Sequence, residues 1–359
     1  MSYLTLAVLL HWATAAIAPA HAGASAGAQR ARPVIISTDP GIDDAIALLL
    51  ALSSPELELR AIGINFGSLK NTTQLAQNAL TVLALAGRED VPVYLGAERP
   101  LSQPFHDLGG PKFHGTDGLG GAYRAALPPS LAVNRSMSAA EFIVHACRHD
   151  ASPKPPLLVS LAPLTNVALA LNLEPRLPEL CPDLYLMGGT VLAPGNVGFL
   201  SEANVANDPE AAARVLSAGF HTRVAGLDVT MATWLSHSFL ASLQDLNVAG
   251  SFIWNITRFY ERAHHELAGF EGGMPLHDPS TLLMFLQERS YELKRWPVWV
   301  DTSPFPSVSH GLMLPDRRGG PLSPPPPRDA TVHFGMSVNA TSVRQLLRAR
   351  IAATSAEFE

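Results

Sequence analysis

The sequence predicts an α/β fold, a mainly parallel open sheet flanked by helices, and three features carry that prediction. Short runs of Val, Ile and Leu recur along the 359 residues, helix-length segments follow them, and turn residues separate the two. Residues 33–38 read as a buried strand because Val34, Ile35 and Ile36 are consecutive, as in strands covered on both faces. Asp39-Pro40-Gly41 ends that strand, and 43–52 reads as a helix apolar on all sides. The rhythm continues with strands at 59–64, 91–95, 156–161, 184–187 and 222–227. Helices are expected at 72–86, 139–147, 166–173 and 209–218, and a last strand and helix at 331–338 and 342–352. No break in composition divides this region, so 33–359 is expected to be one domain, with Pro324–Pro327 a rigid loop within it.

The composition, 47% hydrophobic and 16% charged, is that of a globular chain. The net charge of -6 and the lack of a basic stripe argue against a nucleic-acid polymer as partner. Residues 1–22 read as a signal peptide: Leu4 opens an apolar run, and Ala20-His21-Ala22 has the small-x-small pattern of a cleavage site. No Lys or Arg precedes the run, and the competing reading is a membrane anchor. His11 interrupts the run, which is also short for a span of about 20 residues. A secreted protein without stable membrane association is therefore expected. Sequons at Asn71, Asn134, Asn255 and Asn339 would make it a glycoprotein in a eukaryotic host. Cys147 and Cys181 either pair or remain two buried thiols.

The chemistry concentrates in Asp39-Pro40-Gly41-Ile42-Asp43-Asp44, which places three carboxylates at a strand-to-helix junction. Ligands of open α/β sheets bind beyond the carboxyl ends of the strands. Helix capping explains one or two of these acids but not three, because close carboxylates repel unless a cation joins them. A hard ion with oxygen ligands offsets the repulsion; calcium fits, whereas magnesium suits a phosphate substrate better.

Read from Ser37 to Asp44, this turn resembles the D-x-D-P-G-x-D-D signature of the nucleoside hydrolases, with Ser37 in place of the first acid. Further segments resemble the same family in the same order. They are Phe66-Gly67-Ser68, His114-Gly115-Thr116-Asp117-Gly118-Leu119-Gly120, Leu161-Ala162-Pro163-Leu164-Thr165-Asn166, Met187-Gly188-Gly189, Gly195-Asn196, Glu202-Ala203-Asn204, Asp208-Pro209-Glu210-Ala211-Ala212 and Leu276-His277-Asp278-Pro279. Ser68 replaces the family's asparagine and Ala203 its usual aromatic residue.

The resemblance implies a Rossmann-like nucleoside hydrolase fold and a calcium-dependent enzyme that cleaves the N-glycosidic bond of ribonucleosides, in purine and pyrimidine salvage. It implies that Asp39, Asp44, Asp278 and the Leu161 carbonyl hold Ca2+, with Asp39 also the general base. Asp43, His114, Met187, Asn196, Glu202 and Asn204 would bind the substrate. His277 would assist the leaving base, its ordinary pKa near 6.5 suiting proton donation. A homodimer or homotetramer is implied as well. Tyr260, His264 and His265 lie on a helix just before the His277 segment; they either face the base or, as the favoured reading, are exposed helix residues. Two other readings compete: a nucleoside-binding protein impaired in catalysis, motivated by Ser37 and Ser68, and a metal-dependent phosphohydrolase, for which Lys70 is the only nearby cation.

Overall fold

Strand β1 (Arg32–Thr38) lies inside a nine-stranded sheet, with β2 (Leu57–Ile64) on one side and β4 (Leu157–Ser160) on the other, both parallel to it. The structure, a computed structural model, describes residues 31–121, 132–318 and 331–354. The expected signal segment and the Pro324–Pro327 loop lie outside the described residues.

From β1 the chain builds outward in both directions. β2 leads to β3 (Val93–Leu95) at one edge; β4 leads through β5 (Asp183–Met187) and β6 (His221–Ala225) to β11 (Thr331–Val338), all parallel. The strand order therefore reverses between β1 and β4. A crevice opens there at the strand ends, and the acidic turn leaves β1 at that point. The backbone N–H of Leu161, just past β4, donates to the Ser37 carbonyl at 2.8 Å and keeps the two strand ends together.

Helices cover both faces. α1 (Ile42–Leu52) is buried from Ile42 to Ala51 because α2 (Thr72–Leu85), α11 (Val248–Ala268), α12 (Asp278–Leu286) and α13 (Ala340–Ala352) pack around it. A helix apolar all round needs such a complete enclosure. The short α3 (Gly110–His114) packs on α11. On the opposite face, α4 (Ala139–His149), α5 (Thr165–Leu173), α6 (Leu177–Leu180) and α8 (Pro209–Leu216) enclose a second core. A Ser138–Glu141 capping box starts α4, and a Cys147–Cys181 disulfide, with Cα atoms 5.7 Å apart, ties it to the end of α6. The short helices α7 (Ala203–Asn207) and α9 (Leu227–Thr230) sit beyond β5 and β6, where the crevice opens. A two-stranded ribbon of β7 (Trp234–Ser236) and β8 (Gly273–Pro275) frames α10 (His237–Gln244) and α11.

The mainly parallel sheet agrees with the sequence expectation, and one edge differs from it. β9 (Tyr291–Val300) and β10 (Met313–Pro315) add an antiparallel pair beside β11. The sequence of β9 hides a strand: it carries Glu292, Lys294 and Arg295, and Pro297 removes a ladder donor. It is held instead by long pairing with β11 from Tyr291↔Val338 to Pro297↔Thr331. Among the described residues, no helix is long and apolar enough to cross a membrane.

Candidate active site

At the end of β1 the backbone turns so that Asp44, in the first turn of α1, reaches back over it. Its carboxylate accepts from the Gly41 N–H at 2.9 Å and from the Thr38 hydroxyl. This satisfies a helix N-terminus and fixes the carboxylate in place. Asp39 is held differently. The Ser68 N–H donates to its carboxylate and the Ser68 hydroxyl to its carbonyl. A Cβ at Gly67 would collide with that carboxylate, so the close approach requires glycine there.

Asp43 receives the Tyr260 hydroxyl at 3.4 Å. Asp278 begins α12 and brings a fourth carboxylate from a distant stretch of chain. Oxygen atoms of Asp43, Asp44 and Asp278 lie within 4.8 Å of one another. Burial, first of all, and then the neighbouring carboxylates push Asp39 and Asp278 well above the usual carboxylate range. Burial likewise raises Asp44, with Asp43 adding to it, and moves Asp43 to about 6.

The described residues lining this pocket include no Lys or Arg, so among them nothing cationic balances four buried acids. Hard oxygen donors in that number fit a divalent cation such as Ca2+. The Leu161 carbonyl also lines the pocket, where it accepts from Asn204 Nδ2 at 2.9 Å and retains a second lone pair. The converging triple is thus Asp43, Asp44 and Asp278, with Asp39 beside it and tied to Ser68; the sequence assigned Asp43 to the sugar.

Every site residue expected from the sequence lines one pocket of about 490 Å³: Asp39, Asp43, Asp44, His114, Leu161, Met187, Asn196, Glu202, Asn204, His277 and Asp278. Glu202 caps α7 and accepts from the N–H groups of Gly189, Asn204 and Val205 at 2.8, 2.8 and 3.2 Å. Burial raises its carboxyl to about 7, although these donors pull the other way. Asn204 Nδ2 also reaches the Met187 carbonyl at 3.2 Å, and Asn196 Oδ1 accepts from the Ala203 N–H at 3.0 Å.

His114 Nδ1 accepts from the Ile42 N–H at 3.1 Å, which puts the proton of the neutral ring on Nε2. Gly41 permits this, because a Cβ there would lie 2.5 Å from that nitrogen. Burial lowers His114 to about 4. His277 Nδ1 meets the Thr230 hydroxyl at 2.9 Å, and burial followed by the His264 and His114 rings lowers it to about 3. The ordinary histidine pKa expected from the sequence therefore does not hold here; near pH 7 the ring is neutral.

Two of the three sequence departures, Ser37 and Ser68, are hydrogen-bonded through their side chains. Ser37 Oγ accepts from Asn166 Nδ2 at 3.1 Å, and Asn166 also binds the Ile64 carbonyl and the Ala97 N–H. Asn71 is occupied elsewhere, capping α2.

The sequence reading missed Phe113 and Phe270 on the opposite wall and favoured the exposed alternative for Tyr260 and His264. Phe113, Tyr260, His264 and Phe270 line the pocket, with His264 ring centroids 4.3 Å from Tyr260 and 5.0 Å from Phe113. Tyr260 and His264 are buried, not exposed as expected, while His265 is exposed. The signal was available in α11: Ile253, Ile256, Tyr260 and His264 fall on one helical face.

Acids on the floor and flat aromatic faces above them define an α/β enzyme for a small polar molecule that carries a planar ring. Comparison with known proteins agrees. The profile of the family described as "Inosine-uridine preferring nucleoside hydrolase" matches residues 34–345. The pyrimidine-specific ribonucleoside hydrolase RihA of Salmonella paratyphi B is 38% identical over 275 residues, 76% of this chain and 85% of that protein. Probable uridine nucleosidase 1 of Oryza sativa subsp. japonica is 34% identical over 285 residues, 78% of this chain and 84% of that protein. The solved structure of a purine-preferring ribonucleoside hydrolase from Gardnerella vaginalis superposes with a TM-score of 0.80 at 28% identity, covering 90% of this chain and 99% of that one. The chain belongs to the nucleoside hydrolase family.

Proposed function

We propose that the protein is a calcium-dependent hydrolase that splits purine and pyrimidine ribonucleosides into free base and ribose. The observation that carries the calcium reading is the burial of Asp39, Asp43, Asp44 and Asp278 in one pocket that no lysine or arginine lines among the described residues. Such a cluster is stable when a divalent cation shares its oxygens; Asp44, Asp278, Asp39 and the Leu161 carbonyl would hold that ion. When bound, the ion lowers the proton affinity of a water and keeps it beneath the sugar.

This chain's own groups supply the rest. Asp39, fixed by Ser68, removes a proton from the attacking water. Asp43, Asn196, Glu202 and Asn204 face the ribose, whose vicinal hydroxyls need both donors and acceptors. The transition state is oxocarbenium-like, so the developing positive charge on the sugar benefits from nearby carboxylates. The base leaves toward Phe113, Tyr260, His264 and Phe270, which exclude water and stack on its ring. His114 presents Nε2–H and His277 lies beside the acids, so each is placed to donate a hydrogen bond on the base side as charge builds on the leaving group.

A wall of aromatic faces accepts either base class, and the named relatives act on both sides of that divide. Inosine, guanosine, uridine and cytidine, each incubated with Ca2+ or with a chelator and assayed for free ribose, test the proposal. Ribose release from at least one nucleoside that stops on chelation is expected. Tight binding without ribose would favour the impaired-binder reading, although Ser37 and Ser68 both hold site groups in place. A phosphohydrolase is disfavoured because Lys70 is exposed and does not line the pocket.

Secretion completes the proposal. The 1–22 segment supports it, as does the Cys147–Cys181 disulfide, since such bonds persist in oxidising compartments. Mass analysis of protein recovered from the medium should find a mature chain beginning near Gly23.

A further inference from the structure

The loop from Gly188 to Ser201 leaves β5 and supplies Ala193, Pro194, Gly195, Asn196 and Val197 to the pocket wall. Its side chains give it little anchorage: Leu192 is 67% and Phe199 80% exposed. The Thr190 hydroxyl donates to the Ala193 carbonyl at 2.7 Å, and residues 195–197 are held by backbone bonds to Phe199 and Ser201, while the first part of the loop also converges on one carboxylate. Asp228 accepts from the backbone N–H groups of Val191 and Leu192 at 2.7 Å each and of Ala193 at 3.0 Å. Three successive donors on one ionised acceptor make a strong, directional clamp.

Asp228 sits on α9, and that four-residue helix touches the site from two more directions. The Leu227 N–H donates to the Gly189 carbonyl at 2.9 Å, and Thr230 binds His277. Leu227 and Met231 themselves line the pocket. The far half of the loop is secured independently, by the Ser201 hydroxyl on the His310 carbonyl and by the Asn196 carboxamide on the Ala203 N–H. Asp228 does not line the pocket, and its three hydrogen bonds go to the loop.

We propose that Asp228 is a positioning residue, whose carboxylate orders residues 191–193 before substrate arrives and so sets the Ala193-Pro194 part of the pocket wall. The proposal rests on the nucleoside reading of the pocket. An unclamped loop must be ordered during binding, and that cost falls on substrate capture rather than on the water-activating acids.

Two variants test it. Asp228→Ala removes all three acceptor contacts. Asp228→Asn keeps one carbonyl-type oxygen for Leu192 and Ala193 but turns an amide N–H2 toward the Val191 N–H. The expected result is a KM raised about tenfold or more in Asp228→Ala, a smaller rise in Asp228→Asn, and kcat within about threefold of wild type in both. Amide hydrogen exchange at residues 191–193 should quicken in the same order, with the midpoint of Ca2+-induced stabilisation unchanged. A fall in kcat at constant KM, or unchanged exchange and KM in both variants, overturns the proposal. Should the wild-type protein release no ribose from any nucleoside, the functional reading fails by itself. The exchange rates then decide the clamp separately: unaltered protection in Asp228→Ala overturns it.

Discussion

The floor and the walls of this pocket are built on different principles. The floor rests on the ends of β1 and β4 and the first turns of α1 and α12, and each acid there is pinned by hydrogen bonds or by close packing of buried neighbours. The walls come from α3, α11 and the 188–201 loop, which meet only in three dimensions and contribute mostly ring faces and backbone. Chemistry that needs fixed charge sits where strands and helix ends are rigid, while recognition sits on elements free to vary. In a mutant series this difference separates loss of turnover from loss of affinity.

The largest expected effect is on the floor. Asp39→Ala should lower kcat by about 10³-fold, as removal of a positioned general base does, with KM little changed. A variant retaining wild-type kcat would take the base role from Asp39.

Next comes the pH dependence of the metal-free protein. Asp43 at about 6 and Glu202 at about 7 lie above their unfolded values, and Asp39, Asp44 and Asp278 are raised too. Above about pH 6.5, where the buried His114, His264 and His277 are neutral in both states, the folded state therefore binds more protons than the unfolded one, and stability falls as pH rises toward the folded values of the acids; below that pH the lowered histidines work in the opposite direction. For Glu202 alone, the loss from pH 4.5 to 7 is on the order of 3 kcal/mol, at about 1.4 kcal/mol per unit. Denaturant titrations with chelator at pH 7 and 9, above the unfolded histidine range, should show the decline, and added Ca2+ should flatten it. Asp278→Asn should raise metal-free stability at pH 8 and remove most of the response to Ca2+. A metal-free protein that gains stability from pH 7 to 9 would contradict the picture of mutually repelling acids.

On the wall the effects are smaller and of another kind. Phe113→Ala removes one stacking face, which costs about 1–3 kcal/mol for a base on an aromatic ring. It should raise KM roughly 5- to 150-fold and leave kcat nearly intact; steady-state kinetics on the best nucleoside read both. Equal losses in both constants would erase the distinction between wall and floor.

The smallest effect belongs to Ser37→Ala. It removes one buried hydrogen bond to Asn166, worth about 1 kcal/mol, and should lower the denaturation midpoint slightly with activity within about threefold. A large loss of activity would give Ser37 a direct part in the chemistry.

The floor was legible in the sequence because its residues are contiguous. Asp39, Pro40, Gly41, Asp43 and Asp44 announce a strand end, a turn and a helix start by composition alone, and His277-Asp278-Pro279 marks a second helix start. Tyr260 and His264 were not legible in the same way, since a polar aromatic residue on a long helix suits water and core equally until the neighbours are known. β9 was hidden by Pro297 and three charged residues, and became a strand only because β11 pairs along it.

By itself, then, the sequence determined the alternation of strands and helices, the acidic turn at the end of the first strand, and the identity of the acids. Period, turn chemistry and local charge are properties of neighbouring residues, so they can be read in one dimension. Only the tertiary structure decided which acids converge, that Ser68 fixes Asp39, that Asp228 clamps a loop and that two histidines lose their ordinary pKa. Those outcomes depend on burial and on partners far away in the chain, and both arise only when the sheet closes under its helices.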